Sequence, residues 1–248
     1  RLSEEQMATL SVFFDFDWSL LVDKNTDTYV VEALAPKMYK DGYFKTYDRS
    51  APGGWTKFMD DTMGKLFDLG ITRKQVEECM QAAKLQPSLV SVLKQLKERP
   101  NTKLYIISDS NWVFIEQVLK GSGFPMDFFD EVVTNKAHFS DDGRLNISPY
   151  ESTTCDIERC HPNLCKGTAV SKLIKSGTNV YVGDGGGDFC AALRLSLTDH
   201  VFAREDWALH NLIKKNAQHE QNKLKANLST WNDANTLAQL FDKVSKTS

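Results

Sequence analysis

Two carboxylates stand one residue apart where an apolar run ends, in the segment Phe13-Phe14-Asp15-Phe16-Asp17. In an extended segment residues two apart share a face, so Asp15 and Asp17 would point into one site. A divalent cation would relieve the repulsion between two such close carboxylates. The spacing therefore indicates metal-assisted chemistry at the end of a strand. The alternative is a strand that simply runs into an acidic turn.

A second acidic pair flanks three glycines in Val182-Gly183-Asp184-Gly185-Gly186-Gly187-Asp188. Glycine lets the backbone approach a bound group closely, and Asp184 supplies a hard oxygen ligand of the kind that suits Mg²⁺. Asp188 could orient a metal-bound water or pair with a lysine. A glycine-rich turn with incidental acids is the alternative.

Two other polar residues stand at the ends of predicted elements. Ser108 closes an apolar run, where its hydroxyl and the neighbouring amides could donate to an anion, although a plain helix N-cap is the alternative. Lys166 opens a predicted helix. If that helix start faces the acids, its ammonium would offset the charge of a phosphoryl group, as phosphoryl transfer requires. Otherwise Lys166 is an ordinary surface lysine.

Three cysteines and a histidine, Cys155, Cys160, His161 and Cys165, raise the hypothesis of a zinc site. Their Cys-x4-Cys-x4-Cys spacing is not the usual two-residue zinc knuckle. The spacing therefore favours structural or incidental thiols over a metal site.

The strands and helices that must position these residues are predicted to form an α/β sheet. Strands alternating with amphipathic helices predict a doubly wound, Rossmann-like parallel sheet. In such sheets ligands gather at the carboxyl ends of the strands, where the polar residues above stand. The predicted strands are Leu10–Phe14, Lys103–Ile107, Asn179–Val182 and His200–Phe202, with Glu131–Thr134 as a possible fifth.

The segment after the first strand has no convincing strand. Apolar residues recur at helical spacing in Tyr29–Tyr39, Trp55–Leu69 and Val76–Ala83. We therefore predict a helical cap lobe over residues 27–86, inserted into an α/β core made of residues 1–26 and 87–248.

Further along the chain, the sequence predicts a hairpin turn, a polar segment and a final helix. Ser140 to Arg144 has the composition of a hairpin turn between short apolar runs. Residues 216–227 are polar and helix-prone. A last helix is expected to dock on the domain through Trp231 together with Leu237, Leu240 and Phe241.

Composition limits the class of protein. Of 248 residues 25% are charged, and the net charge is only −3. No charge excess favours nucleic acid or an anionic membrane, so we expect neither partner.

Five cysteines, an odd number in a chain too long to need disulfide staples, favour a reducing compartment, and we expect the protein to be cytoplasmic. The first ten residues are too polar for a signal-peptide core, and no apolar run approaches a membrane span. The sequence does not indicate an oligomeric state.

In this order, the motifs resemble those of the haloacid dehalogenase superfamily of phosphotransferases. Finer details are similar to the branch of phosphoethanolamine/phosphocholine and pyridoxal-phosphate phosphatases, to which plant inorganic-pyrophosphate phosphatases also belong. The segments that carry this likeness are Asp15-Phe16-Asp17, Ile107-Ser108-Asp109-x-Asn111, Ile147-Ser148-Pro149-Tyr150, Cys160-x-Pro162-Asn163-x-Cys165-Lys166-Gly167 and Gly183-Asp184-Gly185-x-x-Asp188-Phe189-Cys190.

The resemblance implies a covalent mechanism with Mg²⁺ as cofactor. Asp15 would be the nucleophile and take the phosphoryl group as an aspartyl-phosphate. Asp17 would protonate the leaving oxygen and then deprotonate the hydrolytic water. Mg²⁺ would be bound by Asp15, the main-chain carbonyl of Asp17 and Asp184, with support from Asp188. Ser19 stands where the family usually has threonine, and the hydroxyl is kept.

The resemblance also assigns the phosphoryl and substrate contacts. Ser108 and Lys166 would hold the phosphoryl oxygens. Asp27, Asp109 and Asn111 would bind the rest of the substrate, the two acids as partners of a substrate ammonium. Cation–π contact from Tyr29, Tyr43 or Trp55 could add to this, although plain lobe packing is the alternative for each ring.

The sequence therefore predicts Mg²⁺-dependent hydrolysis of small phosphomonoesters, with phosphoethanolamine, phosphocholine or pyridoxal phosphate as the expected substrates. A pyrophosphate, phosphoserine or polyol-phosphate phosphatase is the alternative within this fold. A catalytically silent scaffold or a thiol-metal binding module is the alternative from another class.

Overall fold

A seven-stranded sheet forms the centre of the computed structural model, which describes residues 10–48, 53–151, 155, 157, 160 and 163–247. The spatial order is β4-β3-β2-β1-β5-β6-β7, and all neighbours are parallel except β3 and β4. The predicted doubly wound α/β class is confirmed. The strands are β1 (Leu10–Phe14), β2 (Thr102–Asn111), β3 (Glu131–Phe139), β4 (Leu145–Ser148), β5 (Thr178–Gly183), β6 (His200–Arg204) and β7 (Asn227–Trp231).

The central strand, β1, brings the site residues to one edge of the sheet. All five of its residues are buried, as expected for a parallel strand covered on both faces. Phe14 is paired with Ile106 of β2 on one side and Val182 of β5 on the other. The residues that follow these three positions therefore emerge side by side at the carboxyl edge.

β2 ends in an irregular stretch. Ile107 pairs with Val133 and Asn111 with Asn135, so four steps along β2 match two steps along β3. Extra residues of this kind disrupt the ladder locally and re-aim side chains. Ser108 and its two successors therefore leave the regular pleat where the site begins.

Helices cover both faces of the sheet. On one face α5, α6 and α10 pack around Phe14, and on the other α7, α8 and α9 pack around Phe13 and Tyr181. The helices are α1 (Thr26–Leu34), α2 (Pro36–Lys40), α3 (Gly54–Asp68), α4 (Arg73–Ala82), α5 (Pro87–Glu98), α6 (Trp112–Gly121), α7 (Lys166–Leu173), α8 (Phe189–Ala192), α9 (Ala208–Lys215) and α10 (Ala234–Thr247). None of these described helices is long and apolar enough to cross a membrane.

The predicted helical segment contains α1 to α4, and its described residues between 27 and 86 include no strand. The helix predicted over Tyr29–Tyr39 is divided at Ala35, because the residue before a proline disfavours helical backbone. Buried residues of this segment, including Val30 and Met80, belong to the same apolar cluster as Phe14 of the sheet. The division into a core and a cap over 27–86 stays a prediction.

The predicted hairpin joins β3 to β4 at the edge of the sheet. Gly143 has a φ of 93°, a value that glycine adopts without strain. Helix α3 covers this edge: Asp60 forms an ion pair of 3.2 Å with Arg144 and accepts a 2.9 Å hydrogen bond from the backbone N–H of Ile147.

The end of the chain differs from the prediction. Helix α9 ends at Lys215, and residues 216–226 form turns rather than the expected helix. A strand that the sequence analysis missed, β7, follows and pairs with β6. Four of its five residues are exposed or part-exposed, so their pattern carries little β signal, and pairing with β6 decides the conformation. Trp231 closes this strand, its indole N–H donating to the carbonyl of Phe202 at 3.0 Å. The predicted last helix is α10.

Candidate active site

Asp15 follows β1 and lies at the centre of the site, only 5% exposed. Its Oδ1 accepts a 2.7 Å hydrogen bond from the backbone N–H of Phe16 and lies 2.8 Å from the ammonium of Lys166. Burial, followed by repulsion from Asp188, raises the pKa of Asp15 well above its usual value, although Lys166 opposes this effect. Both contacts are made to Oδ1, so Oδ2 is the oxygen left for a reaction.

Asp17 is held by the start of helix α1. Its Oδ1 accepts from the backbone N–H of Thr26 at 2.8 Å, and its Oδ2 accepts from the Thr26 hydroxyl at 3.0 Å and from the amide of Asn25 at 3.3 Å. Burial, followed by repulsion from Asp27, raises the pKa of Asp17 well above its usual value. A raised pKa favours the protonated form of this carboxyl group, which can donate its proton.

The glycine-rich turn after β5 places the second acidic pair beside Asp15. Asp184 accepts a 2.8 Å hydrogen bond from the hydroxyl of Ser19, and burial together with repulsion from Asp188 raises its pKa to about 7. Carboxylate oxygens of Asp15, Asp184 and Asp188 lie within 4.8 Å of one another. Three hard oxygen donors at this separation, two of them with raised pKa values, form a group that a cation such as Mg²⁺ fits.

Asp188 is fully buried and both of its oxygens are engaged. Oδ1 accepts from the Lys166 ammonium at 2.7 Å and from the Tyr181 hydroxyl at 2.7 Å, while Oδ2 accepts from the backbone N–H groups of Asp184 at 3.0 Å and Gly185 at 2.8 Å. These four hydrogen bonds fix the turn. Asp188 is therefore better placed to support a metal site than to be a direct ligand.

Lys166 begins helix α7 and is 3% exposed. It bridges Asp15 at 2.8 Å and Asp188 at 2.7 Å, and its ammonium lies 3.9 Å from Asp109. Burial by itself lowers the pKa of Lys166, but Asp15 and Asp188 outweigh it and hold the pKa well above the usual value. The lysine is therefore a fixed positive charge in contact with the acids, and it is not a surface lysine.

Ser108 is fully buried in the irregular end of β2. Its hydroxyl oxygen accepts from the backbone N–H of Ser110 at 3.2 Å, and the Ser110 hydroxyl lies 2.8 Å from that of Thr26. Ser108 does not cap the following helix, because Asn111 fills that position. Its own hydroxyl proton can therefore be directed at a bound anion.

The three predicted substrate contacts and Trp55 line one narrow pocket, which is too tight in this structure to hold a water molecule. Asp27 is 5% exposed and accepts a 2.6 Å hydrogen bond from the Trp55 indole N–H. Burial, partly opposed by that hydrogen bond, raises the pKa of Asp27 to about 7, with a smaller contribution from Asp109. Asn111 caps α6 through a 3.1 Å bond from Phe114 to its Oδ1, while its buried Nδ2 has no hydrogen-bond partner among the described residues.

The aromatic residues proposed for cation–π contact have different surroundings. Trp55 lines the pocket. Tyr43 stacks on Phe58 with ring centroids 5.2 Å apart and belongs to the packing of the helical segment. Tyr29 packs against the hydrophobic core, with the Lys24 ammonium 5.2 Å from its ring centre. Only Trp55 of the three is in the described pocket.

Sequence reasoning missed several residues that hold the site. Thr26 fixes Asp17, and Tyr181 donates to Asp188 from the preceding strand. Asn135 donates to the backbone carbonyl of Asp109 at 2.7 Å. No motif signals these residues, since each lies in a different element from the residue that it contacts. His161, which the sequence analysis grouped with the cysteines, lies outside the described residues, as does Pro162 of the quoted motif.

The raised pKa values predict a pH dependence of stability. Asp27 and Asp184 shift from an ordinary value of 3.8 to about 7, so the folded chain holds more protons than the unfolded chain between these values. The free energy of unfolding should therefore fall as pH rises from 5 to 8, by on the order of 2–4 kcal/mol without divalent cations. Urea denaturation in the presence of a chelator measures this.

The matched variant for that measurement is Asp27→Asn, which removes one titrating carboxyl while keeping an acceptor for Trp55. Its stability should change less between pH 5 and 8 than that of the parent. A parent whose stability rises over this range would contradict the assignment.

Comparison with known proteins places this geometry in context. A family model described as "Putative Phosphatase" matches residues 10–244. "Probable phosphatase phospho1" of Danio rerio is 31% identical, over 94% of this chain and 86% of that protein. "Pyridoxal phosphate phosphatase PHOSPHO2" of Homo sapiens is 33% identical, over 83% and 86%. "Inorganic pyrophosphatase 1" of Arabidopsis thaliana is 29% identical, over 92% and 76%.

Solved structures with low sequence identity share the fold. A phosphoserine phosphatase from T. onnurineus in complex with NDSB-201 superposes with a TM-score of 0.53 at 15% identity, covering 97% of both chains. An HAD family hydrolase, t0658, from Salmonella enterica gives a TM-score of 0.54 at 16% identity, covering 96% of this chain and 72% of that one.

Proposed function

Because the chain belongs to the "Putative Phosphatase" family of the haloacid dehalogenase superfamily and is a phosphatase, we propose that it hydrolyses small phosphomonoesters with Mg²⁺ through an aspartyl-phosphate on Asp15. The observation that carries this proposal is the buried contact of Asp15 with Lys166 at 2.8 Å, beside the carboxylates of Asp184 and Asp188. This contact leaves one oxygen of Asp15 for attack on a phosphorus atom that Lys166 helps to hold.

The first step transfers the phosphoryl group to Asp15. Oδ2 forms a bond to phosphorus as the bond from phosphorus to the ester oxygen breaks, and the leaving oxygen takes a proton from Asp17. The raised pKa of Asp17 supports this role, and the two contacts from Thr26 fix its direction. The product is the free alcohol.

The second step hydrolyses the acyl phosphate. Asp17, now a carboxylate, accepts a proton from water as the water oxygen bonds to phosphorus, and the bond from phosphorus to Oδ2 breaks. Inorganic phosphate leaves and Asp15 is restored. Ser108 and Lys166 donate to the phosphoryl oxygens in both steps, which stabilises charge that spreads over those oxygens in the transition state.

Mg²⁺ fits the acidic group, and we assign it to Asp15, Asp184 and the main-chain carbonyl of Asp17, with Asp188 in support. When bound, it would neutralise charge on the phosphoryl group and the carboxylates. Asp188 keeps Lys166 and the turn after β5 in place through four hydrogen bonds.

We propose a substrate with a positively charged leaving group, of the phosphoethanolamine or phosphocholine type. Burial, followed by repulsion from Asp27 on Asp17 and from Asp109 on both, raises the pKa values of Asp17 and Asp27, so a cationic group placed among these acids would stabilise their charged forms. Trp55 adds an aromatic surface next to Asp27, and aromatic faces attract quaternary ammonium groups. Asn111 offers a buried amide donor in the same pocket.

Pyridoxal phosphate is the second candidate, because relatives named pyridoxal phosphate phosphatase are 31–33% identical to this chain. A pyridine ring could stack on Trp55 and present its ring nitrogen to an acid. Pyrophosphate is the candidate that the Arabidopsis relatives suggest.

A phosphate-release screen tests the proposal. Purified protein with Mg²⁺ is offered phosphoethanolamine, phosphocholine, pyridoxal phosphate, pyrophosphate, phosphoserine and glycerol phosphate. We expect the highest kcat/KM for an amino-alcohol phosphate. Absence of phosphate release from every monoester would overturn the proposed function, whereas preference for pyridoxal phosphate would overturn only the choice of substrate.

Asp109→Asn should act selectively on cationic substrates. Loss of a close, partly desolvated ion pair costs about 2–5 kcal/mol. We therefore expect kcat/KM for phosphocholine to fall by about 30-fold or more, and that for glycerol phosphate by less than about threefold. Asp141→Asn, in the exposed hairpin turn, is the matched control and should change neither value.

Asp27→Asn should show the same selectivity, because Asp27 lines the same pocket. Equal losses on both substrates would mean that these acids act on the phosphoryl site through Lys166, which lies 3.9 Å from Asp109.

A further inference from the structure

Four cysteines form a cluster beside the active site that the phosphatase reaction does not use. Their sulfur atoms, from Cys155, Cys160, Cys165 and Cys190, all lie within 4.8 Å of one another. Cys190 was absent from the group that the sequence analysis considered, because it lies 25 residues beyond Cys165. We infer that these four thiolates bind one structural Zn²⁺ ion.

The distances between the sulfur atoms suit tetrahedral zinc. The Sγ atom of Cys190 lies 3.7 Å from that of Cys160 and 4.0 Å from that of Cys165. Four sulfurs at the usual 2.3 Å from zinc are separated by about 3.8 Å from one another. A disulfide would need about 2.05 Å, and none of the five cysteines, all of which are described, forms one.

Two of the four sulfurs are fixed by helix ends. Cys165 caps α7, and its sulfur accepts from the backbone N–H of Thr168 at 3.4 Å. The sulfur of Cys190, in α8, accepts from the backbone N–H of Gly167 at 3.2 Å. A Cβ atom at Gly167 would lie 2.7 Å from the carbonyl oxygen of Cys190, so glycine is required for this approach.

The electrostatics of the cluster favour a cation. The hydrogen bond that Cys190 shares with Cys160 lowers the pKa of Cys190 to about 6, while the pKa values of Cys155 and Cys160 are raised. The sulfur of Cys190 therefore carries negative charge more readily than those of Cys155 and Cys160. A dipositive ion would remove this restriction and release the remaining thiol protons, as metal binding by cysteines does.

The ligand set selects the metal and its role. Four sulfurs in tetrahedral arrangement favour zinc over Mg²⁺, which prefers hard oxygen ligands. A site filled by four protein ligands keeps no open position and is structural. Cys165 directly precedes Lys166, and Cys190 follows Asp188 by two residues. Zinc here would tie Cys155 and Cys160 to the two helix starts beside the buried ion pair of Lys166 and Asp188.

Metal analysis tests the inference without any measurement of turnover. The full chain is produced in zinc-supplemented medium, purified without chelator or polyhistidine tag, and analysed for zinc, iron and magnesium by mass spectrometry. We expect about one zinc per chain, and less than about 0.2 in Cys155→Ser. Cobalt substitution should give the charge-transfer and visible bands of tetrahedral cobalt thiolate in the parent and lose them in the variant.

Cys79→Ser is the matched control, since Cys79 is buried in α4 away from the cluster and its pKa is raised to about 11 by burial. It should retain full zinc. Zinc below about 0.2 per chain in the parent, iron in its place, equal zinc in the parent and Cys155→Ser, or disulfides among the four cysteines would each overturn the inference. Because the readout is metal content, its failure would leave the phosphatase proposal untouched.

Discussion

Replacement of Asp15 by asparagine is expected to lower kcat by on the order of 10⁴-fold or more, because the proposed reaction has no other nucleophile. The amide is nearly isosteric with the carboxylate. Lys166 keeps its 2.7 Å contact with Asp188, so the buried lysine stays paired and the fold should persist. Phosphate release with the best substrate of the screen measures the loss, and circular dichroism checks the fold.

Asp17→Asn is the companion variant. Removal of a positioned acid–base group costs about 10²- to 10⁴-fold, and both steps should slow. Rapid quenching and mass spectrometry of this variant should reveal a phosphorylated chain, with the added mass on the peptide that contains Asp15.

In the Asp15→Asn variant, deamidation of the introduced asparagine back to aspartate must be excluded by mass spectrometry. Near-parent turnover of Asp15→Asn after that check would rule out the covalent mechanism.

Removal of divalent cations is expected to lower activity by about 10³-fold or more, since a metal ion contributes several kcal/mol to transition-state stabilisation. Without a cation the carboxylates of Asp15 and Asp184 repel Asp188 and have raised pKa values, so the site is poorly prepared for an incoming phosphate dianion. Activity after dialysis against EDTA, and after return of excess Mg²⁺, measures the effect.

Two controls separate this site from the cysteine cluster. Asp184→Asn should raise the Mg²⁺ concentration needed for half-maximal activity, whereas Cys79→Ser should not. The zinc content of the EDTA-treated sample shows whether the cysteine cluster was disturbed as well. Full activity after exhaustive chelation, or recovery with Zn²⁺ alone, would contradict a magnesium site.

The fold class and the acidic site could be predicted from sequence because their signals are local. The buried run Leu10–Phe14 predicts a central parallel strand, and its end places Asp15 and Asp17. The same argument holds for Ser108 in the last part of β2 and for Asp184 after β5. Once the strands are parallel, the sheet edge is common to all of them, so proximity follows from topology.

The last strand could not be predicted, for the opposite reason. Asn227–Trp231 is short and part-exposed, and its conformation is stabilised by hydrogen bonds to β6 rather than by its own residue pattern. Intrinsic β preference is weak compared with such pairing. The expected helix over residues 216–227 failed because helical propensity without a buried face does not outweigh the local turns.

By itself, the sequence determined which residues can do chemistry and at which strand ends they stand, because apolar runs and the polar residues that end them lie within a few positions of one another. Only the tertiary structure decided which other side chains contact these residues. The hydroxyl of Tyr181 reaches Asp188, the indole of Trp55 reaches Asp27, and Cys190 joins the other cysteines. Each of these contacts joins separate elements, and the packing of helices on the sheet, rather than any spacing along the chain, sets their distances.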